Sequence, residues 1–278
     1  MSSYPATRLA GTDASSSELP DILVRIVRKR AEVVAVARGK ETYTEPPRRE
    51  VFQDARENRF TRALAEKAGR AIIAEVKMGS PSLGSLEGTF DSLEQARAYG
   101  DTGAAALSVV VEPDFFHGSY ELLARCVRAS GLPAIAKDFV IDPLQLRWAR
   151  RAGASAVLLI AALYTAQELR AYARLARRHR LVPLIETHDE ADVAKLAGME
   201  WEVVGVNNRD LRTFDVSLNT SESLVSRLPE DAMKVAESGI HSADDRRRLA
   251  DVGYDAFLIG EALVKSGDPR AKLRELLD

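Results

Sequence analysis

Glu75 and Lys77 end an apolar run of the chain two residues apart. Further runs end in Glu112, Lys137-Asp138, Glu186, Asn207-Asn208-Arg209-Asp210, Glu237-Ser238-Gly239 and Gly260-Glu261. Converging carboxylates and ammonium groups can move protons to and from a reacting group, and the cations suit an anionic substrate. Glu75 and Lys77 fall on one side of a period-two strand. Taken singly, each charge could serve a structural ion pair, because such networks also occupy strand ends. A lone buried Lys or Glu costs several kcal/mol unless it is paired. Two lysines, several glutamates, an asparagine and an arginine on one rim are therefore better explained by a site. Lys77 and Lys137 leave two chemistries open, a Schiff base with a carbonyl or a cationic general acid. Gly239 and Gly260, with Ser238 and Glu261 beside them, let backbone N–H groups approach a ligand, and a phosphate suits that corner.

These residues need elements to position them. Nearly continuous apolar runs recur at 71–77, 105–111, 133–139, 156–162, 182–187, 203–209, 233–239 and 256–262. Such runs signal strands buried on both faces, as in parallel sheets. Amphipathic helical stretches such as 92–99, 143–151, 165–178 and 243–251 lie between them. A strand and helix alternating in this way predict an α/β fold, a single (β/α)8 TIM barrel whose active site lies at the carboxyl ends of the strands. An open doubly wound sheet is the competitor, but neither G-x-G-x-x-G nor G-x-x-x-x-G-K-[ST] occurs. The chain of 278 residues suits this division: a mobile tail at 1–17, a helical extension at 18–70 packed on the barrel, and the barrel at 71–278. In the extension, Ile22, Ile26, Val33 and Ala37 form the expected apolar stripe, and Arg28-Lys29-Arg30 reads as a solvated helix face.

Composition narrows the chemistry. Lys plus Arg is 39 and Asp plus Glu is 41, a net charge of −2, which speaks against a nucleic-acid binder that neutralises many phosphates. Cys126 is the single cysteine, so a disulfide framework is excluded and a reducing cytoplasm is the natural reading. The longest apolar run, 156–164, is far below the roughly 20 residues a membrane helix needs. His117, His179, His188 and His241 show no metal-site spacing. His188 reads as a loop residue and Cys126 as a packing residue. No G-x-S-x-G elbow is present.

The stretch Ile73-Ala74-Glu75-Val76-Lys77-Met78-Gly79-Ser80-Pro81-Ser82 resembles the I-A-E-[VY]-K-x-x-S-P-S signature of the indole-3-glycerol-phosphate synthase family. Phe115-Phe116-His117-Gly118-Ser119, Lys137-Asp138-Phe139, Glu186 with His188-Asp189-Glu190, and Gly205 to Leu211 continue the similarity in order. So do Val235 to Ile240 and Phe257 to Leu263, and the likeness spans about residues 20 to 278. The resemblance implies ring closure of 1-(2-carboxyphenylamino)-1-deoxyribulose 5-phosphate with loss of CO2 and water, without cofactor or metal. It implies a catalytic set of Lys137, Glu186, Lys77, Glu75, Asn207 and Ser238, with Lys137 as general acid. It implies substrate contacts from Ser80, Ser82, Glu112, Phe139, Arg209, Glu237, Gly239, Gly260 and Glu261. Phe139 would pack on the aromatic ring, and Ser238, Gly239, Gly260 and Glu261 would hold the phosphate.

Three positions depart from the family pattern. Leu83 stands where Lys or Arg is common, Val111 replaces a common Thr, and Ala136 replaces a larger residue. Leu83 weakens the case for a loop cation on the substrate. The other readings of the same residues are a phosphate-binding isomerase, a Schiff-base aldolase, or a non-catalytic binding homologue, which would be expected to lose Lys137 or Glu186. The expected partner is a phosphorylated small molecule carrying an anthranilate group, with no nucleic acid or membrane, and the chain is expected to be a monomer or weak homo-oligomer.

Overall fold

The computed structural model describes residues 19–47, 58–80, 84–86, 88 and 90–278. The expected tail at 1–17, Ser82 and Leu83 lie outside these. Eight parallel strands close a barrel: β1 Ala71–Val76, β2 Ala106–Val110, β3 Ala134–Lys137, β4 Ala156–Ile160, β5 Val182–Thr187, β6 Val203–Asn207, β7 Met233–Glu237 and β8 Ala256–Ile259. Each strand pairs with its neighbours in sequence, and β8 closes on β1 with Ala71 opposite Ala256 and Ala74 opposite Ile259. The apolar runs all become strands. Several stop short of their expected ends, β4 giving way to a 3-10 turn at Ala161–Leu163 and β8 to a helix at Glu261–Lys265.

The strands are buried because both faces are covered, with Lys137, Met233 and Lys234 half-buried. Helices clothe the outside, and side chains fill the inside. Helix starts follow local chemistry. Asp142 with Gln145, Thr165 with Glu168, and Ser242 with Asp245 form reciprocal capping boxes, each satisfying amides that have no intrahelical partner. Among the described residues no helix is long and apolar enough to cross a membrane.

Among the described residues two helices precede the barrel, α1 Asp21–Arg38 and α2 Arg59–Ala65. Leu23 and Val27 of α1, and Phe60 and Leu64 of α2, belong to the same apolar core as the strands. The buried face of α1 is Leu23, Val24, Ile26, Val27, Arg30 and Val34, which is rotated from the expected stripe. Ile22, Val33 and Ala37 lie only half-buried at its margin. Apolar residues spread around much of this helix, so contact with the barrel selects the face. The basic triplet is also corrected in part: Arg28 and Lys29 are exposed, whereas Arg30 is only 2% exposed. It is drawn inward by Asp138, as described below.

Candidate active site

A closed barrel of this type stacks its interior in layers of four side chains drawn from alternate strands. Glu75 of β1, Lys137 of β3, Glu186 of β5 and Glu237 of β7 come one from each odd strand, near its carboxyl end. Where Val, Ile or Leu is usual, this barrel carries ionisable groups. Lys137 Nζ lies 3.4 Å from Glu75 Oε2 and 3.2 Å from Glu237 Oε2. Lys77, two residues further along β1, places Nζ 3.2 Å from Glu75 Oε1. The three glutamates are buried.

Burial without pairing would drive these groups neutral, so the pairing decides their state. At Lys137 burial works against the charge, but the carboxylates of Glu75, Glu237 and Glu186 outweigh it and hold the ammonium well above the ordinary lysine range. At Glu75 burial is overcome by Lys77 and Lys137, and its carboxyl is held below the usual range. Glu237 goes the other way: burial, with Glu186 beside it, raises its carboxyl despite Lys137.

Above this layer a cavity opens at the carboxyl ends of the strands. Glu75, Lys77, Ser80, Lys137, Phe139, Glu186, Asn207, Arg209, Ser238, Gly239, Gly260 and Glu261 all line it. Glu237 lies beneath, reaching the site through Lys137. Asn207 Oδ1 accepts from the Arg209 amide at 3.0 Å, and the Arg209 guanidinium donates to Glu261 Oε2 at 3.0 Å. The rim cation is thereby held at the mouth. Ser238 and Gly239 both have left-handed backbones, with φ of 67° and 77°. Asn208 Nδ2 clamps the Ser238 carbonyl at 3.0 Å, which maintains that turn. Gly260 has a reason beyond backbone approach: a Cβ there would sit 2.5 Å from Glu75 Oε1.

Glu112 takes a different place. Its carboxylate accepts from the amides of Asp114, Phe115 and Phe116 at 3.0, 2.7 and 3.1 Å, capping the short helix Pro113–Phe116. It is fully buried and does not line the cavity. Its acceptor capacity goes to fixing Phe116, whose ring tilts against Phe139 at a centroid distance of 5.8 Å. Ser82 lies outside the described residues.

Several lining residues have no polar signal in the sequence. Ile22 and Ile26 of α1, Phe116, Leu211 and Phe214 add an apolar lining to the same cavity. The two isoleucines carry helical periodicity, but only packing shows that they face the barrel mouth. Asp138 was legible as part of Lys137-Asp138-Phe139. In the structure it accepts from Arg30, Tyr120 and Gln145 at 2.5, 2.6 and 3.0 Å. Gln145 Nε2 also donates to the Phe139 carbonyl at 2.9 Å, so the segment leaving β3 is fastened at Asp138 and again at Phe139.

Such a site, a pinned ammonium among carboxylates beside an apolar lining, can give a proton to an oxygen on an aromatic, anionic molecule and take one elsewhere. A family model described as indole-3-glycerol phosphate synthase matches residues 23–276. An indole-3-glycerol phosphate synthase of Koribacter versatilis is 44% identical over 220 residues, 78% of this chain and 85% of the relative. One from Albidiferax ferrireducens is 38% identical over 261 residues, 93% of this chain and 98% of the relative. Among solved structures, 3-hexulose-6-phosphate synthase from Salmonella typhimurium aligns with a TM-score of 0.60 at 13% identity, over 74% of this chain and 96% of that one. A mutant tryptophan synthase α-subunit from Pyrococcus furiosus aligns at 0.57 and 15%, over 76% of this chain and 98% of that one. At that identity the two structures share the barrel alone.

Proposed function

The chain belongs to the indole-3-glycerol phosphate synthase family, and from that membership we propose how its residues divide the work. The enzyme is a carbon–carbon lyase of tryptophan biosynthesis. It closes the indole ring of 1-(2-carboxyphenylamino)-1-deoxyribulose 5-phosphate, releasing CO2 and water. The aromatic carbon that bears the carboxylate attacks the ketone carbon while Lys137 protonates the ketone oxygen. Loss of CO2 returns its bonding electrons to the ring. The hydroxyl left on the new ring then departs as water, with a proton removed from the adjacent carbon. Glu186 is assigned as the base for that proton, and Lys77, held by Glu75, as the acid that assists the leaving hydroxyl.

The observation that carries this reading is the double pairing of Lys137 with Glu75 and Glu237. It keeps the ammonium charged and immobile at the bottom of the cavity. Substrate that draws a carboxylate away from Lys137 would strengthen it as an acid, which is how a tightly held ammonium becomes useful near neutral pH. Asn207 orients the substrate and Arg209 meets its carboxylate. Phe139 packs on the anthranilate ring, Ser80 joins the substrate contacts, and the backbone around Ser238, Gly239, Gly260 and Glu261 receives the phosphate. Glu112 supports the ring site through Phe116. We place the enzyme in the cytoplasm as a monomer or weak homo-oligomer, with α1 and α2 acting as part of the barrel domain.

The test is to mix purified protein with that substrate in EDTA and follow indole-glycerol phosphate fluorescence. Product is expected from the natural chain, and Lys137→Ala is expected to lower turnover about 10²- to 10⁴-fold. No product, or undiminished turnover in the variant, would overturn the assignment.

A further inference from the structure

We propose that His188 is a positioning residue for Glu186, its direct ion-pair partner, aiming that carboxylate into the barrel by way of a charge chain running out to Lys195. The inference rests on Glu186 acting as the base. His188 directly follows β5, and the period of the strand puts its side chain on the same side as Glu186. Its Nε2 lies 3.4 Å from Glu186 Oε1, and its Nδ1 lies 3.5 Å from Asp192 Oδ2. Asp192 is itself fixed. Its Oδ2 accepts from the His188 amide at 3.2 Å, and its Oδ1 pairs with Lys195 Nζ at 2.9 Å. Lys195 also donates to the Ala161 carbonyl at 2.9 Å, beyond the end of β4. The helix Glu190–Ala194 begins at the Asp189 cap, and that turn carries Asp192 back over the imidazole.

Both ring nitrogens are buried and have no hydrogen-bond partner among the described residues, so Glu186 and Asp192 meet the ring at ion-pair distance. An imidazole with a carboxylate near each nitrogen is best accommodated as imidazolium, whose charge both carboxylates favour. The charged groups facing the ring are Glu186 of β5, Asp192 of the following helix and Glu237 of β7, with Lys195 behind Asp192. Arg209 lines the second cavity that His188 also borders.

The cations of the layer are otherwise committed. Lys77 serves Glu75, and Lys137 serves Glu75 and Glu237. Among the described residues His188 is the ion-pair partner of Glu186, whose second oxygen has no hydrogen-bond partner. Lys137 acts on Glu186 through space and without an ion pair, so a directly paired counter-ion must come from elsewhere. His188 supplies that counter-ion from outside the reacting centre.

The experiment is the pH profile of kcat and KM on the carboxyphenylamino-deoxyribulose phosphate for the natural chain, His188→Gln, His188→Lys and Asp192→Asn. In His188→Gln the acid limb of kcat moves up by about one pH unit, the low end of the effect of a close opposite charge, with KM nearly unchanged. His188→Lys restores a cation and returns the limb toward its original position. Asp192→Asn moves it in the same direction as His188→Gln by less, and stands in should His188→Gln fail to fold. An acid limb that stays in place while kcat falls equally at every pH would mark His188 as a structural tie between β5 and the next helix, and would overturn the inference. Glu186→Gln separates the two readings: if it retains full turnover, the assignment of the base fails rather than that of its partner.

Discussion

Arg30 of α1 and Asp138, the residue directly after Lys137, form a buried ion pair of 2.5 Å across 108 positions of sequence. It ties α1 to the segment that presents Lys137. Asp138 is held below the usual carboxylate range, because Arg30, Tyr120 and Gln145 outweigh the cost of its burial. Removing one member of a buried pair leaves the other charge uncompensated, typically at about 3–5 kcal/mol. Arg30→Met is expected to lower unfolding free energy by about that amount, read by urea titration. Arg30→Met with Asp138→Asn should recover part of it. A loss under about 1 kcal/mol in the single variant would show that α1 docks without this pair.

Gly260→Ala tests the room that Glu75 occupies. The added carbon would meet Glu75 Oε1 at 2.5 Å and its Cβ at 3.0 Å, pushing the carboxylate away from Lys77 or Lys137. A displacement of about 1 Å can cost about 10²-fold in rate. Turnover should fall to that extent while the circular dichroism spectrum stays native. Gly118→Ala is the contrast. Its Cβ would overlap the Val110 carbonyl oxygen, a backbone atom that cannot swing aside, so the fold itself should weaken. Native turnover in Gly260→Ala would remove the proposed role of that space.

Glu237 makes the stability of the protein depend on pH. Its carboxyl binds a proton more tightly folded than unfolded, from burial and then from Glu186. Above the ordinary value of 4.5 the unfolded chain gives up that proton first, so this contribution is full at lower pH and is lost as pH rises. Glu237→Gln removes the dependence. The stability of the variant relative to the natural chain should therefore rise between about pH 5 and about pH 8, measured by urea unfolding at each. A constant difference would contradict the raised carboxyl. Activity should fall, since Lys137 loses a partner.

His179 acts on the acid side. Burial, with Arg147 nearby, lowers its imidazole from 6.5 to about 4, and its Nε2 lies 3.0 Å from the Tyr43 hydroxyl. Here the unfolded chain binds the proton first. Stability is full above 6.5 and is lost as pH falls toward about 4. His179→Gln should flatten the melting temperature across that window, and parallel curves for the two proteins would refute it.

The barrel was legible because its signal is local. An apolar run buried on both faces can be recognised without knowing its neighbours, and all eight runs became strands. Much of the site was legible for a related reason. Polar residues at the carboxyl ends of barrel strands have one mouth to face, which brought Glu75, Lys77, Lys137, Glu186 and Asn207 to the same cavity. Glu112 was less legible, because a glutamate just before a helix serves equally as a cap, and the three amides took it. Arg30 looked like the solvated neighbour of Arg28 and Lys29, and His188 looked like a loop residue.

Residue types, strand order and the shared rim were thus written in the chain itself, since each depends on periodicity and on which strand a residue ends. Pairing was decided by the tertiary structure. Closing the barrel set odd-strand residues into one layer, where Lys137 found Glu75 and Glu237. Docking α1 rotated Arg30 inward to Asp138, and the turn after β5 carried Asp192 over His188. Charges in a buried layer take their protonation states from whichever neighbours lie within a few ångströms. Those neighbours come from elements far apart in sequence, and only the packed fold chooses them.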